Sequence, residues 1–406
     1  MSTQPDLAFD LARLAAGTGS GAIGPASRDR AKQSIMDTLG VMIAASSLAP
    51  SVRPVAELAF EMGGRAEATV LGFGGKVPAL NAGFVNGAMA HCLDFDDHAP
   101  EGHHPSSSIV PAAFALAERA GGIPGSEMIA ATVIGQDIFL RIRRNVAWKH
   151  DWHLTTIIGT ISAAAAAARV AGLDEAQTVS AIGIAAHQAS GTMELAYGTG
   201  SDLRGMYAGF VAKQAVLAVL MAERGVVGPS SMLEGPAGFF ATYLDGNYDR
   251  AAMLRDIGRD FTGHEILFKA WPSCGLTHSY IHATLRLMAE ERLAPSDIAG
   301  ITVHVGDVQE RLCTPIETRR APRVPVDAKF SIPYCVAVAA VRGTVGLADF
   351  TEAALADPEV LAMAARIEPR PDAGGNWSGC LPALSDSATC GATASHSPRW
   401  VSAALP

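Results

Sequence analysis

His91–Pro111 reads HCLDFDDHAPEGHHPSSSIVP, and no other stretch of the chain packs reactive side chains so densely. Four carboxylates (Asp94, Asp96, Asp97, Glu101) and four imidazoles (His91, His98, His103, His104) fall inside it, in a protein otherwise sparing with charge. Ala79–Leu93 before it is almost wholly apolar, and Ser106–Ala120 after it has a helical pattern. The polar groups therefore stand where one buried helix ends and the next begins. Helix ends leave backbone donors and a local field that suit an anion. A solvated acidic loop is the alternative, but charge clustered in an Ala/Gly-rich helical frame reads as a site.

Working outward, helical patterns account for most of the first 264 residues. Ser27 serves as N-cap to a helix carrying Ile35, Leu39, Met42 and Ile43, which ends by Pro50. A helix over Val52–Met62 precedes a brief extended piece at Ala68–Leu71. Ser126 caps a helix with Arg141, Arg143 and Arg144 at its C-terminal end, where cations complement the dipole. WKHDWHLTT is a loop opening a poly-Ala helix at about Thr155, so His153 lies near that N-terminus. Glu175–Gln188 is helical, and a further helix from about Arg204 carries Arg204 and Tyr207 in its first turn, a station for gripping a carboxylate.

Around His264 the pattern changes. EILFKAWP is short and extended in character, THSYIHATLRLMAEER is a helix, and GITVHVGD alternates Ile301, Val303 and Val305 as a strand does. A helix over Asp327–Val341 and short helices over Asp349–Ile367 complete a compact α/β layer. The expectation is a mainly α protein: an all-helical domain over 1–264, a smaller α/β lid domain over 265–368, and a Ser/Gly/Pro-rich irregular tail over 369–406.

Composition excludes several functions. A net charge of −9 without a Lys/Arg run argues against nucleic acid. The N-terminus reads as an amphipathic helix rather than a signal peptide, and Leu154–Leu173 is too weakly apolar to prefer a bilayer. Six cysteines without CxxC pairing suggest neither a zinc site nor a disulfide framework. A cytoplasmic protein is expected.

The residues with chemistry to offer are the acids and bases Asp94, His98, His104 and His153, the cations Arg204 and Lys269, and the phenol of Tyr334. GTGSG and GFGGK lack the context of a nucleotide loop, and GxSxG is absent. What remains is proton transfer on a carboxylate-rich substrate, with imidazole moving the proton and Lys or Arg steadying the charge that builds beside it. The competing reading is a metal held by Asp94, His98, His103 and His104, although no specific metal spacing such as HExxH occurs.

Taken together, HCLDFDDHAPEGHHPSSSIVPAAFALAE, MDTLGVMIAAS from Met36, WHLTTIIGTISAAAAAARVAGL from Trp152, FKAWPSCGLTHSYIHA from Phe268 and DAKFSIPYCVAVA from Asp327 resemble the MmgE/PrpD family in order and spacing. The resemblance implies a helical domain and an α/β lid with the site in the cleft between them, a homodimer, and no metal or organic cofactor. Carried over by position, Asp94, His104, His153 and Lys269 form the site, with Tyr334 at the aromatic position of the lid. His104 is then the acid/base oriented by Asp94, and His153 is a second acid/base. Arg204 and Lys269 clamp carboxylates, while Tyr334 donates from the lid. Two positions depart from the commoner pattern: His98 stands where Thr is frequent, and Arg204 with Tyr207 where Lys and His are frequent. The implied activity is a lyase, by dehydration or decarboxylation, on a small di- or tricarboxylate. The alternatives are an epimerase on the same scaffold and a non-catalytic carboxylate binder.

Overall fold

The computed structural model describes residues 4–372 and 401–404. It is mainly α and divides into two compact units. The first comprises Met1–Cys92, Asp96–Ala196 and Leu203–Phe268; the second takes Leu93–Phe95, Tyr197–Asp202 and the chain from Lys269 onward. The sequence boundary at residue 265 is thus supplemented by two short excursions, one of them inside the His91–Pro111 stretch.

The first unit is built around Leu154–Val170, whose residues are nearly all buried. Its alanines let neighbouring helices approach, and Thr160 returns its hydroxyl to the Thr156 carbonyl four residues back. Gly125–Arg144, Ser106–Arg119 and Leu203–Glu223 pack around it. Leu203–Glu223 is long and apolar enough to cross a bilayer; here its Val211, Ala215 and Val219 are buried in the core. It crosses Ala79–Cys92 through two glycines. A Cβ on Gly87 would sit 2.8 Å from the Ala208 carbonyl oxygen, and one on Gly209 would sit 2.4 Å from that of Phe84. Only glycine permits that approach. The crossing sets His91, one turn after Gly87, against Tyr207, with ring centroids 4.3 Å apart.

Two expected caps are corrected. The second helix is Pro25–Leu48, with Pro25 at its first position, and Ser27 lies inside it and donates to the Phe261 carbonyl. The helix expected from Ser126 starts at Gly125 behind Pro124, without a side-chain cap.

In the second unit, strand Gly300–Val305 lies between Ile367–Pro371, parallel, and Val401–Ala404, antiparallel. Its burial alternates, with Ile301, Val303 and Val305 inward, as the sequence pattern requires. Gly275–Glu290 and Ile332–Arg342 pack together and share the core with that strand. The helix expected over Asp327–Val341 is broken into Pro325–Lys329 and Ile332–Arg342. Ser331 breaks it, its hydroxyl accepting the Tyr334 N–H as an N-cap with Pro333 in the new first turn. EILFKAWP contributes one bridge, Leu267 to His98, rather than a strand. Edge strand Ile367–Pro371 straddles the expected boundary at residue 368, with Pro369 and Pro371 tolerated at an edge, and Val401–Ala404 comes from the tail read as irregular. Residues 373–400, among them Cys380 and Cys390, lie outside the described residues.

Candidate active site

The first unit gathers an imidazole–carboxylate–imidazole array. His91 Nδ1 lies 2.9 and 3.0 Å from the two oxygens of Asp96, and His104 Nδ1 lies 3.2 Å from Asp96 Oδ2 and 3.0 Å from the Asp97 carbonyl oxygen. Asp96 is fully buried. Burial alone would raise its pKa, but the two imidazoles override it and hold the carboxyl well below the usual carboxylate range. Both neighbours of His104 Nδ1 are acceptors, so Nδ1 carries the ring proton and Nε2 is left as the basic nitrogen. The same reasoning protonates His91 at Nδ1.

The backbone explains how these groups meet. Ala79–Cys92 ends one residue after His91, and Asp94 adopts φ +50°, a left-handed conformation that aspartate tolerates better than most residues. The chain turns there and returns Asp96 beneath His91. Asp97 fixes the next step: its N–H donates to Asp37, and its carboxylate accepts from Ser106, whose oxygen in turn accepts from Gln136. Burial pushes the Asp97 carboxyl up to about 6, against the Ser106 hydrogen bond.

His153 sits at the N-cap of Leu154–Val170 and touches Tyr207, centroids 4.6 Å apart. Its Nδ1 is buried with no hydrogen-bond partner among the described residues. Burial, then the positive fields of His91, His104 and Arg204, lower its pKa to about 3, so it is neutral at ordinary pH. Arg204 and Tyr207 are buried in the first turns of Leu203–Glu223. His98 is buried, donates Nδ1–H to the Ala99 carbonyl, and stands 6.3 Å from His104 between ring centroids. His103 is held neutral by burial and by the cationic field of Arg143.

The second unit holds the other candidates. Lys269, also buried, donates to the Asp94 carbonyl oxygen at 2.9 Å and forms a close ion pair with the Asp94 carboxylate. The structure therefore corrects the pairing expected at His104: Asp96 is its carboxylate partner, and Asp94 belongs with Lys269. Tyr334 is corrected too. Its hydroxyl donates to the Asp349 carbonyl oxygen at 2.8 Å, and burial raises its pKa, which makes it a core tie of the α/β layer.

His91 and Asp96 were visible in the cluster but not singled out, because five-residue spacing across a helix end follows no helical or strand period. The metal reading shifts with them. Ligand atoms of His91, Asp96 and His104 lie within 4.8 Å of one another, whereas the set expected from sequence was Asp94, His98, His103 and His104.

The first unit is helical apart from the antiparallel pair Ala68–Val70 and Gly75–Val77 and carries the buried acid–base array; the second is α/β. Residues 10–251 match the MmgE/PrpD N-terminal domain and residues 271–374 the MmgE/PrpD C-terminal domain, so the chain belongs to the MmgE/PrpD family. It is similar to a cis-aconitate decarboxylase of Aspergillus terreus, 28% identical over 84% of this chain and 73% of that protein. The human cis-aconitate decarboxylase is 26% identical over 72% of this chain, a match spanning 62% of the human protein. A 2-methylcitrate dehydratase of Cupriavidus necator is 25% identical over 84% of this chain and 72% of its own length.

Proposed function

We propose that this family member is a lyase that dehydrates or decarboxylates a small di- or tricarboxylate, with His104 as its acid/base. The observation that carries this reading is the pairing of ionised, buried Asp96 with His104 Nδ1, which leaves Nε2 as the proton-exchanging atom. In dehydration, Nε2 takes the proton from the carbon beside a carboxylate while hydroxide departs. In decarboxylation, carbon dioxide departs with its bond electrons left on carbon, and the imidazolium supplies the proton. In both, the positive imidazolium faces Asp96, which stabilises it as the buried aspartate of a catalytic triad does. Arg204 is the carboxylate anchor beside the array and Lys269 the second cation, the latter resting on the family resemblance. His153, neutral and with an unpartnered Nδ1, is the second group able to take or give a proton. The names of the relatives support decarboxylation of cis-aconitate or dehydration of 2-methylcitrate as first candidates. A homodimer and independence from cofactors belong to the same reading.

Proton NMR in deuterated buffer against cis-aconitate, 2-methylcitrate and citrate, with and without chelator, tests it. The expected result is loss of carbon dioxide or water from one of them, unaffected by chelator. Deuterium exchange into recovered substrate without a new product, or activity restored only by a divalent ion, would contradict it.

A further inference from the structure

Three arginines end the Gly125–Arg144 helix, and two of them are spent within the fold. Arg141 pairs with Asp137 and donates to the carbonyls of Met253, Arg255 and Asp260. Arg144 binds Glu101 through Nε and Glu265 through both terminal nitrogens. Arg143, between them, is different. Its one polar contact among the described residues is Nε to His103 Nδ1 at 3.1 Å, and its guanidinium lies 5.7 Å from the centre of the Trp148 ring.

His103 Nδ1 also stands 3.0 Å from the Glu101 carbonyl oxygen. One nitrogen cannot both accept from Arg143 and donate to that oxygen. Whichever tautomer holds, Arg143 has a neutral imidazole rather than a carboxylate beside it, and the fork of its two terminal nitrogens has no partner among the described residues. Glu101 is near enough for its charge to be felt, but its hydrogen bond goes to Arg144.

A partly buried guanidinium is costly without an anion. This one adjoins His103, which is within electrostatic reach of both His104 and His153. Arg143 acts on His103 and Arg204 on His153, both imidazoles held neutral, while Asp96 is already committed to His91 and His104. The Trp148 ring lies within cation–π reach of Arg143, whose planar guanidinium suits a bidentate carboxylate contact.

We infer that Arg143 is a further carboxylate-binding residue of this site, reading a carboxylate of the substrate that Arg204 does not hold. The inference rests on the polycarboxylate reading above, and binding tests it separately from turnover. Calorimetry with butyrate, glutarate and propane-1,2,3-tricarboxylate measures the affinity gained with each added carboxylate. In the wild type each addition should tighten binding. In Arg143→Gln one of those steps should shrink by about 10- to 100-fold, the worth of a charged hydrogen-bonded contact, while butyrate binds within about threefold of wild type. Arg143→Lys keeps the charge and loses the fork, and should fall between. An equal loss for all three ligands, unchanged steps in both variants, or no gain from added carboxylates in the wild type would overturn the inference. Binding with intact steps but no turnover of any polycarboxylate would instead count against the lyase reading alone.

Discussion

Asp94 and Asp96 stand two residues apart, are both buried, and are compensated in opposite ways. Asp96, in the first unit, is held by two imidazoles, each with a second ring nitrogen that can give or take a proton. Asp94, in the second, is held by the ammonium of Lys269. The first is the arrangement the proposed proton transfer uses; the second is an ion pair. Two carboxylates that look equivalent in DFDD thus acquire different chemistry from the partner each finds.

The comparison is broken most severely at Lys269. Lys269→Met leaves the Asp94 carboxylate buried without its cation, and removing one partner of a buried pair costs about 3–5 kcal/mol. Urea unfolding should register that loss, and adding Asp94→Asn should return much of it. An unchanged midpoint in the single variant would mean that the pair contributes nothing to the second unit.

A smaller effect sharpens the titratable side. His153 has a folded-state pKa of about 3, while the unfolded chain protonates histidine near pH 6.5. Between these values the unfolded state binds more protons, so this group lowers stability progressively as pH falls through that window and adds nothing above it. His153→Gln should flatten the fall between pH 6.5 and 4 by up to about 1 kcal/mol per pH unit. Parallel stability curves for variant and wild type would show that His153 is not held neutral by the fold.

Much of this was legible before any coordinates. Apolar runs at helical spacing marked the helices from Ala79 to Leu93 and from Ser106 onward, and the alternation of Ile301, Val303 and Val305 marked the central strand, because burial on one face imposes those periods. The cluster of acids and imidazoles was equally plain. What could not be read was which acid meets which base. The left-handed turn at Asp94 returns Asp96 to His91, and the Gly87–Gly209 crossing brings Tyr207 to the same place. Both depend on tertiary contacts, and a glycine in a helical pattern does not name its partner. Tyr334 differs for a related reason: family resemblance alone made it a donor to substrate, whereas its hydroxyl donates to the Asp349 carbonyl. The edge strand Ile367–Pro371 was hidden because Pro369 and Pro371 carry no strand signal of their own.

In the proposed reaction Asp96 holds His104 as the proton-transferring base. The most direct test of that role is turnover of the substrate found by NMR, measured for His104→Ala and Asp96→Asn beside calorimetric binding of the same polycarboxylate. In His104→Ala kcat should fall by about a hundredfold or more, and in Asp96→Asn by about tenfold or more, with affinity within a few-fold of wild type in both. Undiminished kcat in either variant, with the fold intact, would contradict it.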